Sequence, residues 1–129
     1  MLDEEVRMQR AKIQVVFVPV GDADRAKAFY SGLGWHVDHD HVVNPELRFV
    51  QMTPPHSACS IAFGPGISAM EPGSLDAVML VIDDADAALA ELRAAGVEAE
   101  GVDEQAWGRF VTFRDPDGNR WTLQQLPQR

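Results

Sequence analysis

The chain repeats itself. Asp22-Ala23-Asp24-x-Ala26-x-Ala28, followed by Gly34, returns as Asp84-Ala85-Asp86-x-Ala88-x-Ala90, followed by Gly96, at an offset of 62. Farther on, Arg48-Phe49-Val50 with Pro55 returns as Arg109-Phe110-Val111 with Pro116, at an offset of 61. Two segments in the same order at almost one offset mean two like structural units. The chain has 129 residues, 46% of them hydrophobic. That is enough for one core and too little for two independent domains, so the halves share a fold.

Each half reads the same way. Ile13–Val20 is apolar and β-branched, which predicts a buried strand. Asp22 is placed to cap a helix whose stripe is Ala23, Ala26, Tyr30 and Leu33, and Gly34 is placed to end it. Strands follow from Trp35, over Leu47–Thr53 after an Asn44-Pro45 turn, and over Cys59–Phe63 after a Pro54-Pro55 break. A linker rich in Gly and Pro spans 65–73. The second half predicts a strand at Leu75–Ile82 and a helix capped by Asp84 and stopped by Gly96. Strands then begin at Val97, run over Trp107–Arg114, and run over Arg120–Gln125. Asp115-Pro116-Asp117-Gly118-Asn119 is a hairpin turn, with Pro presetting φ and Gly supplying positive φ. The expected fold is α+β: a single domain over 13–126 made of βαβββ modules at 13–64 and 74–126. Placed side by side, two such modules can curve their sheets around a common cleft, with the helices outside.

Composition removes several function classes. A net charge of −9 with acids spread along the chain argues against nucleic acid or an anionic membrane as partner. It would suit a cationic ligand, though solubility alone accounts for an acidic surface. A single cysteine, Cys59, permits neither an intrachain disulfide nor a cysteine-rich zinc site. Residues 1–12 are charged and lack an apolar stretch, so they read as a flexible N-terminal extension rather than a signal peptide. No run is long and apolar enough to span a membrane. The default compartment is the cytoplasm.

The run from Val18-Pro19-Val20-Gly21-Asp22 through Ala28-Phe29-Tyr30 to Gly32-Leu33-Gly34-Trp35 resembles the vicinal oxygen chelate superfamily, the group of glyoxalases, bleomycin-resistance proteins and ring-cleaving dioxygenases. Val81-Ile82-Asp83-Asp84-Ala85-Asp86 leading to Glu91-Leu92 is similar to it in the second half. The most specific piece is Phe113-Arg114-Asp115-Pro116-Asp117-Gly118-Asn119. The resemblance covers about residues 13–126 and speaks for the fold more than for any one reaction.

Catalytic members of this superfamily hold a divalent metal in the cleft, through His or Gln early in the first strand of each half and Glu late in the last. Carried onto this chain by the resemblance and the offsets, those positions are Val15, Ala77, Ile61 and Thr122. Such a metal needs at least three converging imidazole or hard oxygen ligands, and this set supplies none. The expectation is a site without metal or other cofactor. That departure puts glyoxalase, epimerase, thiol-transferase and dioxygenase activity in doubt.

Strand alternation around those positions predicts an apolar cleft with polar points at one end. Val15 brings Phe17, Ala77 brings Met79, Ile61 brings Phe63, and Thr122 brings Gln124. Gln51 and Thr112 are matching polar positions inside apolar strands, and Trp107 lies where a loop meets a strand and could gate the cleft. These residues could also pack together and close it. His39 and His41 point one way on a strand and, with His36, could chelate zinc, or form a solvated edge. Cys59 could be a nucleophile or a core thiol. The reading is a metal-independent module, similar to the bleomycin-resistance branch, that binds or sequesters a small apolar or amphipathic molecule. The resemblance implies a homodimer. The alternative is a lyase or isomerase of the glyoxalase type with a non-standard metal or an acid–base pair such as Glu104 with His36. A third possibility is an interaction domain with a filled cleft.

Overall fold

The computed structural model describes residues 8–128. The expected extension lies outside them for residues 1–7, and residues 8–12 contain a single helical turn. The order is β1 (Val15–Phe17), α1 (Ala23–Gly32), β2 (His36–Asn44), β3 (Leu47–Thr53), β4 (Ser60–Phe63), β5 (Val78–Ile82), α2 (Ala85–Ala94), β6 (Ala99–Gln105), β7 (Gly108–Arg114) and β8 (Arg120–Gln125). Both halves are therefore βαβββ. Each closes its own four-stranded mixed sheet, β1-β4-β3-β2 and β5-β8-β7-β6. In each, the first strand pairs parallel with the last and the remaining pairs are antiparallel.

The helix ends show how the repeated letters set the backbone. Asp22 and Asp84 both hold extended φ/ψ, and each side chain accepts the amide hydrogen three residues on, Arg25 N and Ala87 N, at 3.0 Å. Those bonds satisfy one of the amides that a helix start leaves unpaired. At the other end Gly34 and Gly96 take φ of +89° and +79°. Gly34 N donates to Ser31 O and Trp35 N to Tyr30 O, and Gly96 N to Arg93 O and Val97 N to Leu92 O. This paired closure needs a left-handed residue, which glycine adopts without a Cβ penalty.

One core joins the two modules. Val18, Val50, Met52, Ile61 and Phe63 from the first sheet, and Val111, Phe113, Trp121 and Leu123 from the second, belong to one buried cluster with Ala26, Tyr30, Ala85 and Leu92 of the helices. α1 bridges the sheets: the Tyr30 ring is 5.9 Å from that of Phe63 and 6.0 Å from that of Trp121. Its hydroxyl donates to Asp115 Oδ2 at 2.7 Å and accepts from Trp121 Nε1 at 3.0 Å. Asp115, 5% exposed, also accepts from Asn119 Nδ2, Asn119 N and Asp117 N. Asn119 Nδ2 donates in turn to the Pro19 carbonyl of the first module. The buried carboxylate is thus fully solvated by protein donors, as burial demands. Burial, then the nearby Asp115 charge, pushes the Tyr30 hydroxyl well above the usual tyrosine range.

The faces of each sheet follow from register, because cross-strand partners share a face. In the first sheet Val16, Ile61 and Met52 are aligned toward the core, and Val15–Ser60 and Phe17–Ala62–Gln51 lie on the opposite face. In the second, Val78–Trp121 and Leu80–Leu123 face the core, while Met79–Thr122–Thr112 and Val81–Gln124–Phe110 lie opposite. Within the chain the helices and the common core occupy one face of each sheet and leave the other face free of helix. Among the described residues no helix is long and apolar enough to cross a membrane.

Candidate functional site

The two helix-free faces carry most of the residues singled out in the sequence. Phe17 is 42% exposed, Met79 54% and Val81 64%. Val15, Gln51, Thr112, Thr122 and Gln124 are half-buried beside them, and Ala77, just before β5, is exposed. Trp107, in the β6–β7 turn, is 62% exposed. Its carbonyl accepts from Gln124 Nε2 at 3.0 Å, which ties the turn to the same face. Large apolar side chains exposed on open sheet faces mark surfaces that another molecule covers.

Ile61 and Phe63 are elsewhere. Both are buried, 4% and 0% exposed, in the core beneath the first sheet. Placing them on the cleft face carried the offset of 61 across a hairpin where it no longer holds. Six residues, 54–59, join β3 to β4, but five, 115–119, join β7 to β8. The offset falls to 60 past this loop, so the partner of Thr122 is Ala62, as the pairs Gln51–Ala62 and Thr112–Thr122 show. A slip of one residue moves a strand's side chains to the other face.

With that correction the four positions where a metal would be expected hold Val15, Ala62, Ala77 and Thr122. Three have no donor atom and the fourth offers one neutral hydroxyl, so this set does not fit a divalent cation. Among the described residues no group of three His, Cys, Asp or Glu side chains is arranged to hold a metal ion. His39 and His41 do share one side of β2, with ring centroids 6.1 Å apart. His36 is turned to Asp38, Nε2 to Oδ1 3.8 Å. Glu104 Oε1 accepts from Arg109 Nε at 2.8 Å, and no ion pair or hydrogen bond joins it to His36 among the described residues. His56 is exposed and Cys59 half-buried, its Sγ 3.6 Å from the Ser60 carbonyl oxygen.

A hydroxyl chain missed by the sequence reading runs across the first sheet at its outer end. Thr53 Oγ1 donates to Asp38 Oδ2, and Thr53 and Ser60 hydroxyls are 2.6 Å apart. Since Thr53 commits its proton to the carboxylate, Ser60 donates to Thr53. The signal was available: Thr53 and Ser60 flank the β3–β4 loop, where register makes them neighbours. The corresponding residues flanking the β7–β8 loop are Arg114 and Arg120, also a cross-strand pair.

A cavity of about 930 Å³ lies between the modules, lined by Val16, Leu33 and Ile61 from the first and Val78, Leu80 and Leu92 from the second, and Ser60, Met79 and Val81 also border it. Its walls are mainly apolar side chains from the helix-bearing sides of the sheets.

The family model of the Glyoxalase/Bleomycin resistance protein/Dioxygenase superfamily matches residues 12–123. The chain is similar to TnmS3, an antibiotic binding protein from Streptomyces sp. CB03234, at 35% identity and a TM-score of 0.83, covering 91% of this chain and 97% of that one. A superfamily member from Sphaerobacter thermophilus DSM 20745 is 28% identical, with a TM-score of 0.80, over 91% of this chain and 98% of that one. Among curated proteins, YetH of Bacillus subtilis (strain 168) is 29% identical over 119 residues, 88% of this chain and 98% of YetH.

Proposed function

The chain belongs to the glyoxalase/bleomycin resistance protein/dioxygenase superfamily, and on that footing we propose that it binds or sequesters a small apolar or amphipathic molecule without the superfamily's metal. The observation that carries this is the exposure of Phe17, Met79, Val81 and Trp107 on or beside the helix-free faces. A few hydrogen-bonding groups, Gln51, Thr112, Thr122 and Gln124, are set among them. An apolar surface with sparse polar points is the usual make-up of a small-molecule site. The likeness to an antibiotic binding protein supports an antibiotic-like compound as the ligand class.

A second copy of the chain completes the site. Within one chain the helix-bearing sides meet, so the helix-free faces look outward. In a two-fold dimer, the first module's open face from one chain would meet the second module's open face from the other, making two equivalent clefts. Covering each large apolar side chain contributes about 1.5–3 kcal/mol, which gives such a dimer a driving force. The acidic surface, −9 overall, leaves nucleic acid an unsuitable partner.

Native mass spectrometry of untagged protein, purified without chelator or immobilised metal, tests the reading. The expected species is metal-free, at twice the 14.2 kDa chain mass, with or without a small co-purified compound. One tightly held metal per chain would overturn the metal-free reading, and a monomer at micromolar concentration would overturn the two-chain cleft.

A further inference from the structure

Arg114 and Arg120 are direct cross-strand partners on β7 and β8, on the same face as Thr112 and Thr122 one step along the ladder. Like charges directly opposite one another on antiparallel strands repel. The chain has an excess of carboxylates: Arg25 is paired with one, and Arg48 and Arg109 with two each. Arg114 and Arg120 have one carboxylate between them among the described residues. Arg114 Nη1 donates to the Gly118 carbonyl at 2.9 Å, and among the described residues no carboxylate pairs with it. Arg120 Nε donates to the Asp76 carbonyl at 2.8 Å and lies 3.2 Å from Asp76 Oδ1, but Asp76 is 74% exposed and reaches only one edge of the guanidinium.

We propose that Arg114 and Arg120 form an anion subsite at one end of the binding face, so that the ligand is an amphipathic acid whose carboxylate, phosphate or sulfonate lies between the two guanidinium groups. The proposal rests on the binding-protein reading above and names the chemistry of the same site. Planar guanidinium groups hold oxyanions through paired, directional hydrogen bonds, and an anion between them removes the repulsion. The Thr112 and Thr122 hydroxyls continue the row of donors toward the apolar body of the ligand at Met79 and Val81. The first module has opposite polarity at the equivalent place. Ser60 and Thr53 spend their protons toward Asp38, so that end offers an acceptor to a ligand hydroxyl or amine. Of the two ends, the second module's carries the arginine pair.

Two fluorescent probes separate the terms. Anilinonaphthalene sulfonate and N-phenylnaphthylamine share one apolar skeleton, and only the first carries an anionic group. With the intact protein the sulfonate should bind about tenfold more tightly, roughly the worth of one charge-assisted hydrogen bond. In the doubly substituted Arg114→Gln, Arg120→Gln protein the ratio of dissociation constants should fall to about one. Asp76→Asn, which frees Arg120 of its competitor, should raise the ratio instead. A ratio near one in the unaltered protein, or one that persists in the double variant, would overturn the anion subsite while leaving the binding module intact. Absence of binding by both probes would overturn the binding reading itself. Circular dichroism of each variant shows whether it is folded.

Discussion

The two modules share a backbone and disagree about their open faces. Their helices begin on the same Asp and end on the same Gly, and in each an arginine of the third strand reaches the Asp in the first helical turn: Arg48 to Asp24 at 2.8 Å, Arg109 to Asp86 at 2.9 Å. On the helix-free side the first module presents His39, His41, Thr53 and Ser60, while the second presents Arg114, Arg120, Thr112 and Thr122. Groups that define the backbone path are alike in the two modules, and groups on the open faces differ. A cleft built from one face of each kind is therefore asymmetric, with ends that recognise different chemistry.

The largest expected effect breaks the comparison outright, because it lies where the second module has no counterpart in the first. Asp115→Ala strips the acceptor from Tyr30, Asn119 and Asp117 in the buried turn between modules. It should lower stability in urea unfolding by about 3 kcal/mol or more. Tyr30→Phe removes the charge-assisted hydrogen bond to Asp115 and the acceptor of Trp121 Nε1, about 2–3 kcal/mol in all. It should also remove a pH dependence. The native tyrosine holds its proton to higher pH than the unfolded one, so its stabilisation is complete below the ordinary tyrosine pKa of about 10 and is lost as pH rises beyond it. Urea midpoints from pH 9 to 11 should fall more steeply for the natural protein than for Tyr30→Phe.

The next substitutions sharpen the likeness. A Cβ at Gly34 or Gly96 would meet no atom within 4 Å, so alanine there tests backbone conformation alone. Each should cost about 1 kcal/mol, and the two costs should match. The smallest effect distinguishes the arginines. Each holds a second carboxylate, but Asp40 on Arg48 is shared with Lys27 and 22% exposed while Glu104 on Arg109 is 71% exposed, and the Arg48 side chain is 16% exposed against 32% for Arg109. Arg48→Met should lower the melting temperature more than Arg109→Met. Hydrogen bonds from Arg48, then Lys27, hold the Asp40 carboxyl below the usual carboxylate range. That contribution is present above about pH 4 and is lost as pH falls below it, so the gap between variants should shrink at pH 3.

Much of this fold was legible in the sequence because short-range chemistry decided it. Asp22, Asp84, Gly34 and Gly96 act on backbone within a few residues, and each does what its identity allows. The core role of Tyr30 followed from helical spacing. Contacts between the modules were not legible: nothing near Tyr30 announces Asp115, 85 residues away. Nor did hydrophobicity say which face of a strand is covered, since Phe17 and Phe63 look alike in sequence and sit on opposite faces of one sheet. Open-face polarity was visible only in part. Gln124 stood out as a polar point, but its neighbour across the ladder is set by hairpin register.

The one-residue difference between the β3–β4 and β7–β8 loops has a consequence for anyone wishing to give this protein a metal. Transplanting ligands by sequence repeat would put a carboxylate at position 61, inside the hydrocarbon core, and the chain would misfold before it met a cation. Counted through the shorter hairpin, the graft belongs at Val15, Ala62, Ala77 and Thr122. A deletion or insertion in an outer loop thus edits the address of an active site without touching any residue in it.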